Sequence, residues 1–538
     1  MRTPRLTFSA LCAIGTLLAA AIGTTGCGGS NASSASSASN PSIYTHGIAG
    51  DSPQSGGHLT FAISPGNFLP SLDPATANEW ITTQIFNQLV EFRPGNETPQ
   101  PALATSWTIS NGGKTYDFKL RHDVKFSNGE PLTATDVAYT LHRLTTPANT
   151  SGQFIFPNTF HSITAVGPYE VRFVLNQPTA AMIDYLAEAT LGIVPKHVVE
   201  REGTHFGTHP IGSGPFAVTA FNAGRSLELK RNPLYWQKPK PYLDELTYTL
   251  TEDANQRILA VRSGQAQVAD SIPYSQVAGL EHTAGVTMLH EQTASVDNLY
   301  WNTSKTPFNE TAVRRALAYA TPSESIIKTV YHNLAEPANA IVPSNPYRSK
   351  SVPYYKYNLA KAKELLAGSN AAKGFRVTVW VAGGDPDASL LGTILQSSWG
   401  QLGVKVALKQ ADPNTVYEHM FGGEYEVAVV PSGFFYNAVV VPDNSGQLVY
   451  DYNSGSHGLA SFFNSPKEIE LIHQATASYD EATRRKDFEM LQGLAEESVQ
   501  LLPLAFPPRT FLVGPTVRNF RPLVAGGITH MEDVYLTH

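Results

Sequence analysis

Three groups of residues have the types and spacing to do chemistry, and each meets a test of context. His205 and His209 lie four apart, with His197 upstream. On a helix that spacing puts two imidazoles on one face, where they could grip a metal. Gly203 and Gly207 interleave them and Pro210 follows, so the stretch reads as a polar loop. Gly112-Gly113-Lys114-Thr115 has the tail of a phosphate-binding loop, but the upstream glycine such a loop requires is replaced by Thr108. The segment also falls in an expected hairpin instead of between a strand and a helix. No Gly-x-Ser-x-Gly elbow and no His-Glu-x-x-His occurs. Carboxylate pairs abound in a chain of this size and decide nothing. The residues therefore point away from an enzyme, and no cofactor or metal is expected.

A different chemistry is legible at Cys27. Arg2 and Arg5 make a basic start, 6–22 is uncharged, and Thr24-Thr25-Gly26 leads into Cys27. This resembles the bacterial lipobox, in which the leader is cut before a cysteine whose sulfur then carries lipid. Thr24 stands where that pattern prefers Leu. The expectation is a signal peptide over 1–26 and a lipidated Cys27, with a flexible linker completing 27–56. Residues 28–40 are Gly, Ser, Ala and Asn, too polar and small to fold alone. The protein would sit on the outer face of the bacterial cytoplasmic membrane. A plain signal peptide and an uncleaved anchor helix are the alternatives.

With Cys12 in the leader, the exported chain has no disulfide and must be stabilised by its core. The 538 residues are 42% hydrophobic and 15% charged, a globular composition long enough for two or three lobes. Removing the leader takes away Arg2 and Arg5 and no acid, so a formal charge of −7 becomes −9. Nothing in that balance suggests nucleic acid. The longest later apolar run, 427–441, is interrupted by Pro431, Gly433 and Asn437 and reads as strand, turn, strand.

Strand and helix patterns are mixed throughout. Leu59, Phe61 and Ile63 alternate with Thr60 and Ala62, which predicts a strand. Ile81, Ile85 and Leu89 repeat every four residues, a helical stripe. A hairpin is expected over 107–120, turning at Asn111-Gly112. Thr133 should cap a helix with Asp136 in its first turn and Val137, Leu141 and Leu144 on its inner face. Another helix should follow Asn309, and Ser465-Pro466-Lys467-Glu468 forms a capping box. The class is α/β or α+β.

Four segments together resemble the family 5 extracytoplasmic solute-binding proteins of ABC importers, which bind peptides, dipeptides or nickel. They are Leu72-Asp73-Pro74, the run from Pro101 to Trp107 continuing at 120–137, Ile211-Gly212-Ser213-Gly214-Pro215-Phe216 with Lys230 to Trp236, and Asn302 with Pro307-Phe308-Asn309 and 313–320. Turn and cap chemistry already accounts for most of these residues, so they read as scaffold. The resemblance implies an α/β, two-lobed periplasmic-binding-protein-like clamp of type II, with an additional inserted domain. Lobe I would be discontinuous, 57–90 with 211–302 and 508–538. The inserted domain would cover 91–210 and lobe III 303–507. Hinge strands would lie near 298–302 and 504–506, closing on a ligand between the lobes. Partners would be a small solute or short peptide, the permease and ATPase subunits, and the membrane through Cys27; the clamp itself is presumed a monomer.

In peptide-binding members an acid just after a lobe III strand holds the peptide's amino terminus. Here that place follows 425–430, within Ser432, Gly433, Phe434, Phe435, Tyr436 and Asn437, and no acid occurs before Asp443. The opposite wall would come from Asn78, Glu79 and Trp80. A buried ammonium without an anion is costly. Either another acid such as Glu79 serves, or the ligand has no free ammonium. By the resemblance the default is a short peptide for import, and the missing acid weakens it. The alternatives are a neutral amphiphile, a sugar or a metal chelate in the same clamp, or a ligand-sensing receptor.

Overall fold

The computed structural model describes residues 47–50, 52–65, 71–76, 80–93, 98–145, 159–187, 191–290, 296–339, 347–349, 351–383, 385–430, 465–522 and 530–537. The leader, Cys27 and the following strap lie outside these residues. Among the described residues no helix is long and apolar enough to cross a membrane.

Three sheets organise the described chain. A seven-stranded sheet runs in the order Thr287–Leu289, Phe511–Val513, Val268–Asp270, His58–Ile63, Glu245–Leu250, Ser226–Arg231, Phe216–Asn222. Its centre is parallel: His58–Ile63 pairs in parallel with both Glu245–Leu250 and Val268–Asp270. A six-stranded sheet runs Glu336–Pro337, Leu501–Phe506, Asp297–Trp301, Val427–Val430, Arg376–Ala382, Lys405–Ala411. Arg376–Ala382 is parallel to both Lys405–Ala411 and Val427–Val430. A four-stranded antiparallel sheet, Ala104–Ser110, Thr115–Leu120, Glu170–Leu175 and Phe160–Gly167, forms a smaller layer.

The period of two explains why the large sheets are covered on both faces. In the first, Leu59, Phe61 and Ile63 enter one core, while Ala62, Ala269 and Leu512 enter another. In the second, Leu299, Trp301, Val427 and Val429 face one core, while Tyr300, Ala428 and Trp380 face the other. The first core also takes in Tyr116, Phe118 and Phe173 from the four-stranded sheet, so that sheet and the first lobe share apolar packing. Each such fully buried side chain contributes about 1.5–3 kcal/mol.

Local expectations translate into defined structure. The helix Ala134–Leu144 follows Thr133, whose backbone N–H and hydroxyl both donate to Asp136, at 2.9 and 2.8 Å. The hairpin turns through Asn111, Gly112 and Gly113, all at positive φ. Ser465 caps the helix Pro466–Ala477, its hydroxyl accepting from the Glu468 N–H. The stripe Ile81, Ile85, Leu89 is buried as expected, but only a short 3-10 helix, Trp80–Gln84, forms. Gly212 and Gly214 are also explained differently from the tight turn expected of them. Neither has a positive φ; a Cβ on them would fall 1.9 Å and 2.5 Å from backbone atoms of Ile85. These glycines allow backbone to pack on backbone, and the Gly214 N–H donates to the Ile85 carbonyl at 2.8 Å.

The resemblance segments meet each other in this scaffold. Ser213 and Trp236 both donate to Asn87, Asn232 donates to the Gly214 carbonyl, and the Ser127 N–H donates to the Gly212 carbonyl. In the second lobe the buried Arg314 donates to the carbonyls of Phe308, Ser498 and Val499. The strand Thr287–Leu289 belongs to the seven-stranded sheet and the next strand, Asp297–Trp301, to the six-stranded one; Leu501–Phe506 and Phe511–Val513 lead back in the other direction. Asp297–Trp301, read from sequence as the end of the first lobe, hydrogen-bonds within the second lobe's sheet. The strands Asp297–Trp301 and Leu501–Phe506, near which hinges are expected, pair with each other in the six-stranded sheet.

Candidate functional site

A cavity of about 570 Å³ opens between the two large sheets. Its position follows from the parallel strands. In α/β sheets the crevice lies beyond the carboxyl ends of the strands, where helices begin. Ser64 and Pro65 follow the first strand, and Asp270, Ser271 and Ile272 end Val268–Asp270 and lead to the helix Tyr274–Leu280. From the second lobe, Ala382 and Gly383 end a strand and lead to the helix Pro386–Gly400, and Asp412 leads to Pro413–Phe421. Asp297, Tyr331 and Arg509 complete the wall.

The first-lobe wall is internally bonded. Asp270 accepts the Ser64 N–H at 2.7 Å and the Ser64 hydroxyl at 3.3 Å. Arg257 donates to the carbonyls of Asp270, Ser271, Thr251 and Glu252 at 2.7–3.0 Å. Burial pulls its basicity below the usual arginine value. Asp253 caps the helix Ala254–Arg262 by accepting the Gln256 N–H at 2.8 Å. Ser271 holds a positive φ of 50°, a strained backbone at the cavity edge.

The second-lobe wall carries carboxylates. Asp385 caps Pro386–Gly400, accepting the N–H groups of Asp387 and Ala388 at 2.9 and 3.1 Å. Asp387 lines the cavity together with Tyr274 of the first lobe, whose backbone tempers the rise of its carboxyl. Burial, with the charges of Asp385 and Asp297 added, pushes its carboxyl up to about 7, from an ordinary 3.8. Asp385 is raised by burial too. Tyr331 donates to Asp297. The ring of Tyr274 meets that of Tyr331 edge-on at 5.3 Å, and its hydroxyl donates to the Pro508 carbonyl at 3.2 Å. These contacts tie the lobes together along one side of the cavity.

None of the residues singled out from sequence lines this cavity in the described structure. Asn78, Glu79, Ser432, Gly433, Phe434, Phe435, Tyr436 and Asn437 lie outside the described residues, as does the side chain of Trp80. What can be placed is the approach to the second segment. Val427–Val430 runs parallel to Arg376–Ala382, with Val429 beside Val381, so it ends on the edge that carries Ala382 and Gly383. The histidine trio falls elsewhere. Gly203–Gly207 is a 3-10 turn, His197 pairs with Glu130 at 2.8 Å, and His209 bonds Thr208. The turn at Gly112 and Gly113 joins two strands.

Sequence reasoning missed the carboxylates at the strand ends. A signal was available. Asp385-Pro386 and Asp412-Pro413 each place an aspartate before a helix-starting proline just after a strand pattern. In a parallel sheet that junction faces the crevice.

A clamp of two α/β lobes around a strand-end cavity is the architecture of periplasmic binding proteins. Residues 98–453 match the model of the bacterial extracellular solute-binding proteins, family 5 (middle). The chain belongs to this family, whose members are solute-binding proteins of ABC importers and not enzymes. It is 29% identical over 353 residues to the glutathione-binding protein GsiB of Escherichia coli O1:K1, covering 65% of this chain and 69% of that one. Among solved structures it is similar to the Helicobacter pylori periplasmic binding protein DppA in complex with the peptide STSA. That match has a TM-score of 0.81 and 25% identity over 90% of this chain and 99% of the other. The binding protein AgaA of A. tumefaciens R10, in complex with agropinic acid, matches with the same TM-score, identity and coverage.

Proposed function

We propose that this protein is the solute-capturing lipoprotein of an ABC importer for short peptides, which it encloses between its lobes and delivers to a membrane permease. The single observation that carries the reading is the 570 Å³ cavity walled by both lobes at their strand ends. A cavity of that size suits a small solute or a short peptide. The relatives named for glutathione and the tetrapeptide STSA support a peptide. The neighbour holding agropinic acid supports a second reading, a non-peptide solute in the same clamp. The aromatic run Phe434, Phe435 and Tyr436, with Ser432, Gly433 and Asn437, and the opposite trio Asn78, Glu79 and Trp80 belong to the proposal as further ligand contacts. The proposed division of labour is lobe I over 57–90, 211–302 and 508–538, an inserted domain over 91–210 and lobe III over 303–507, with the strand Asp297–Trp301 pairing into the lobe III sheet.

Titration calorimetry with a panel of short peptides tests the binding reading. Saturable binding with one site per chain is expected, and the peptides should be recovered intact. Peptide cleavage that follows the protein through purification would reject it. The anchor has its own test. Cys27→Ala should release the protein from cells in soluble form; a variant that stays in the membrane would mean an uncleaved helix instead of a lipid.

A further inference from the structure

The inter-lobe cavity has an unbalanced wall, and the imbalance bears on which solutes it accepts. Its lining includes seven carboxylates, at Glu252, Asp253, Asp270, Asp297, Asp385, Asp387 and Asp412, against the guanidiniums of Arg257 and Arg509. Arg257 is not available to an anionic solute, because its donors are turned to four backbone carbonyls. Four helices begin at this cavity, and each N-terminus offers at most about half a positive charge. With Asp387 about half charged near pH 7, an excess of about four to five negative charges less about two still leaves the wall net negative. Two of the acids are themselves helix caps, yet capping uses a carboxylate as an acceptor without removing its charge. The sequence from 431 to 464 contains neither Lys nor Arg, so it adds no permanent cation.

Desolvation sharpens the effect. When the lobes close, charges that face the cavity lose water, and an unmatched anion becomes expensive. A solute with amine or guanidinium groups would relieve that cost, and one with extra carboxylates would add to it. Asp385 and Asp387 stand on one helix start, and Asp297 lines the same cavity and adds to the rise of the Asp387 carboxyl. These three carboxylates therefore make one electronegative corner, while Tyr274 and Tyr331 give it an aromatic wall. Aromatic faces also favour cations.

We infer that the solute carries a net positive charge, its amine or guanidinium groups facing Asp297, Asp385 and Asp387 across the inter-lobe cavity. The inference rests on the cavity being the solute site. It changes the expectation drawn from the missing acid after Val430: the anion for a ligand's ammonium comes from the start of another helix, and a neutral ligand is not required. Two sources share this chemistry, a lysine- or arginine-rich short peptide and a linear oligoamine.

Calorimetry on the intact protein at 0.15 M salt separates the possibilities, using trilysine, a linear triamine, trialanine and triglutamate as probes. Trilysine or the triamine should bind at least ten times more tightly than trialanine, and triglutamate should not bind. Whichever cation binds more tightly identifies the source. Asp387→Asn should weaken cation binding about five- to tenfold and weaken trialanine, with its single ammonium, by a smaller factor. Asp385→Ser keeps a capping residue while removing a charge, and should act in the same direction even if the first variant folds poorly. Trialanine or triglutamate binding as tightly as trilysine would overturn the charge assignment and leave the clamp intact. Cation binding that both variants leave unchanged would overturn the placement at this corner. Absence of binding by all four probes to folded protein would overturn both.

Discussion

Replacing Asp387 by Asn isolates the energetic cost of the acidic cleft. The carboxyl titrates near 3.8 in an unfolded chain and is pushed up to about 7 in the folded one, chiefly by burial and then by Asp385. The folded protein thus holds this proton more tightly. Stability is unaffected by Asp387 while both states are protonated, below pH 4, and falls as pH rises toward 7. The whole displacement corresponds to about 4 kcal/mol. Partial solvent access and coupling to neighbouring carboxylates reduce the expected cost to on the order of 2 kcal/mol at pH 8. An amide has nearly the same shape and no charge. Asp387→Asn should therefore match the parent near pH 4 and exceed it by about 2 kcal/mol at pH 8, seen as a Tm higher by a few degrees. Thermal unfolding of both proteins across pH 4–8, without ligand, measures this. A variant less stable at pH 8, or a difference that does not grow with pH, would refute the reasoning. Saturating trilysine should narrow the gap at pH 8, because a bound cation offsets the charge that Asn removes.

Two further perturbations probe the scaffold. Gly214→Ala puts a methyl 2.5 Å from Ile85 backbone, so folding yield should collapse, whereas Gly112→Ala meets no atom within 4 Å and should cost only about 1 kcal/mol for its positive φ. Comparing expression and Tm of the two checks this. Glu532 is buried between His530 at 2.8 Å and Arg93 at 3.2 Å, and against the opposing effect of burial these cations hold its carboxyl down at about 2. Its contribution is present above about pH 4.5 and is lost as pH falls toward 2, so Glu532→Gln should cost about 3–5 kcal/mol in urea unfolding at pH 6 and narrow its deficit near pH 2.

The scaffold was legible where a short segment decides its own conformation. Thr133 with Asp136, Asn111-Gly112 and Ser465 with Glu468 each carry their capping or turning partners within a few residues, and each forms the element expected. Gly212 and Gly214 were noticed for the right residue type but the wrong cause. Only the folded chain brings Ile85 against them, and a contact across more than a hundred residues leaves no local periodicity. Ile81, Ile85 and Leu89 mark burial correctly without marking a full helix. The cleft wall was the least legible. Asp297, Asp385 and Asp387 come from two separate stretches, and each has a local structural reading, as strand start, cap and first-turn acid. Their shared role depends on parallel strands ending on one edge and on the lobes facing each other. The segments 432–437 and 78–79, to which the family resemblance points, lie outside the described residues, as does the side chain of Trp80, and the Asp-Pro junctions that wall the cavity carry no family signature of their own.

Hydrogen exchange measured with and without trilysine tests the central claim most directly, because it reads both walls of the cleft in one experiment. The clamp account predicts that amides in 270–276 of the first lobe and 385–391 of the second gain protection together, with trialanine giving less at the same concentration. Protection on one wall alone, or on a surface away from the cavity, would contradict it.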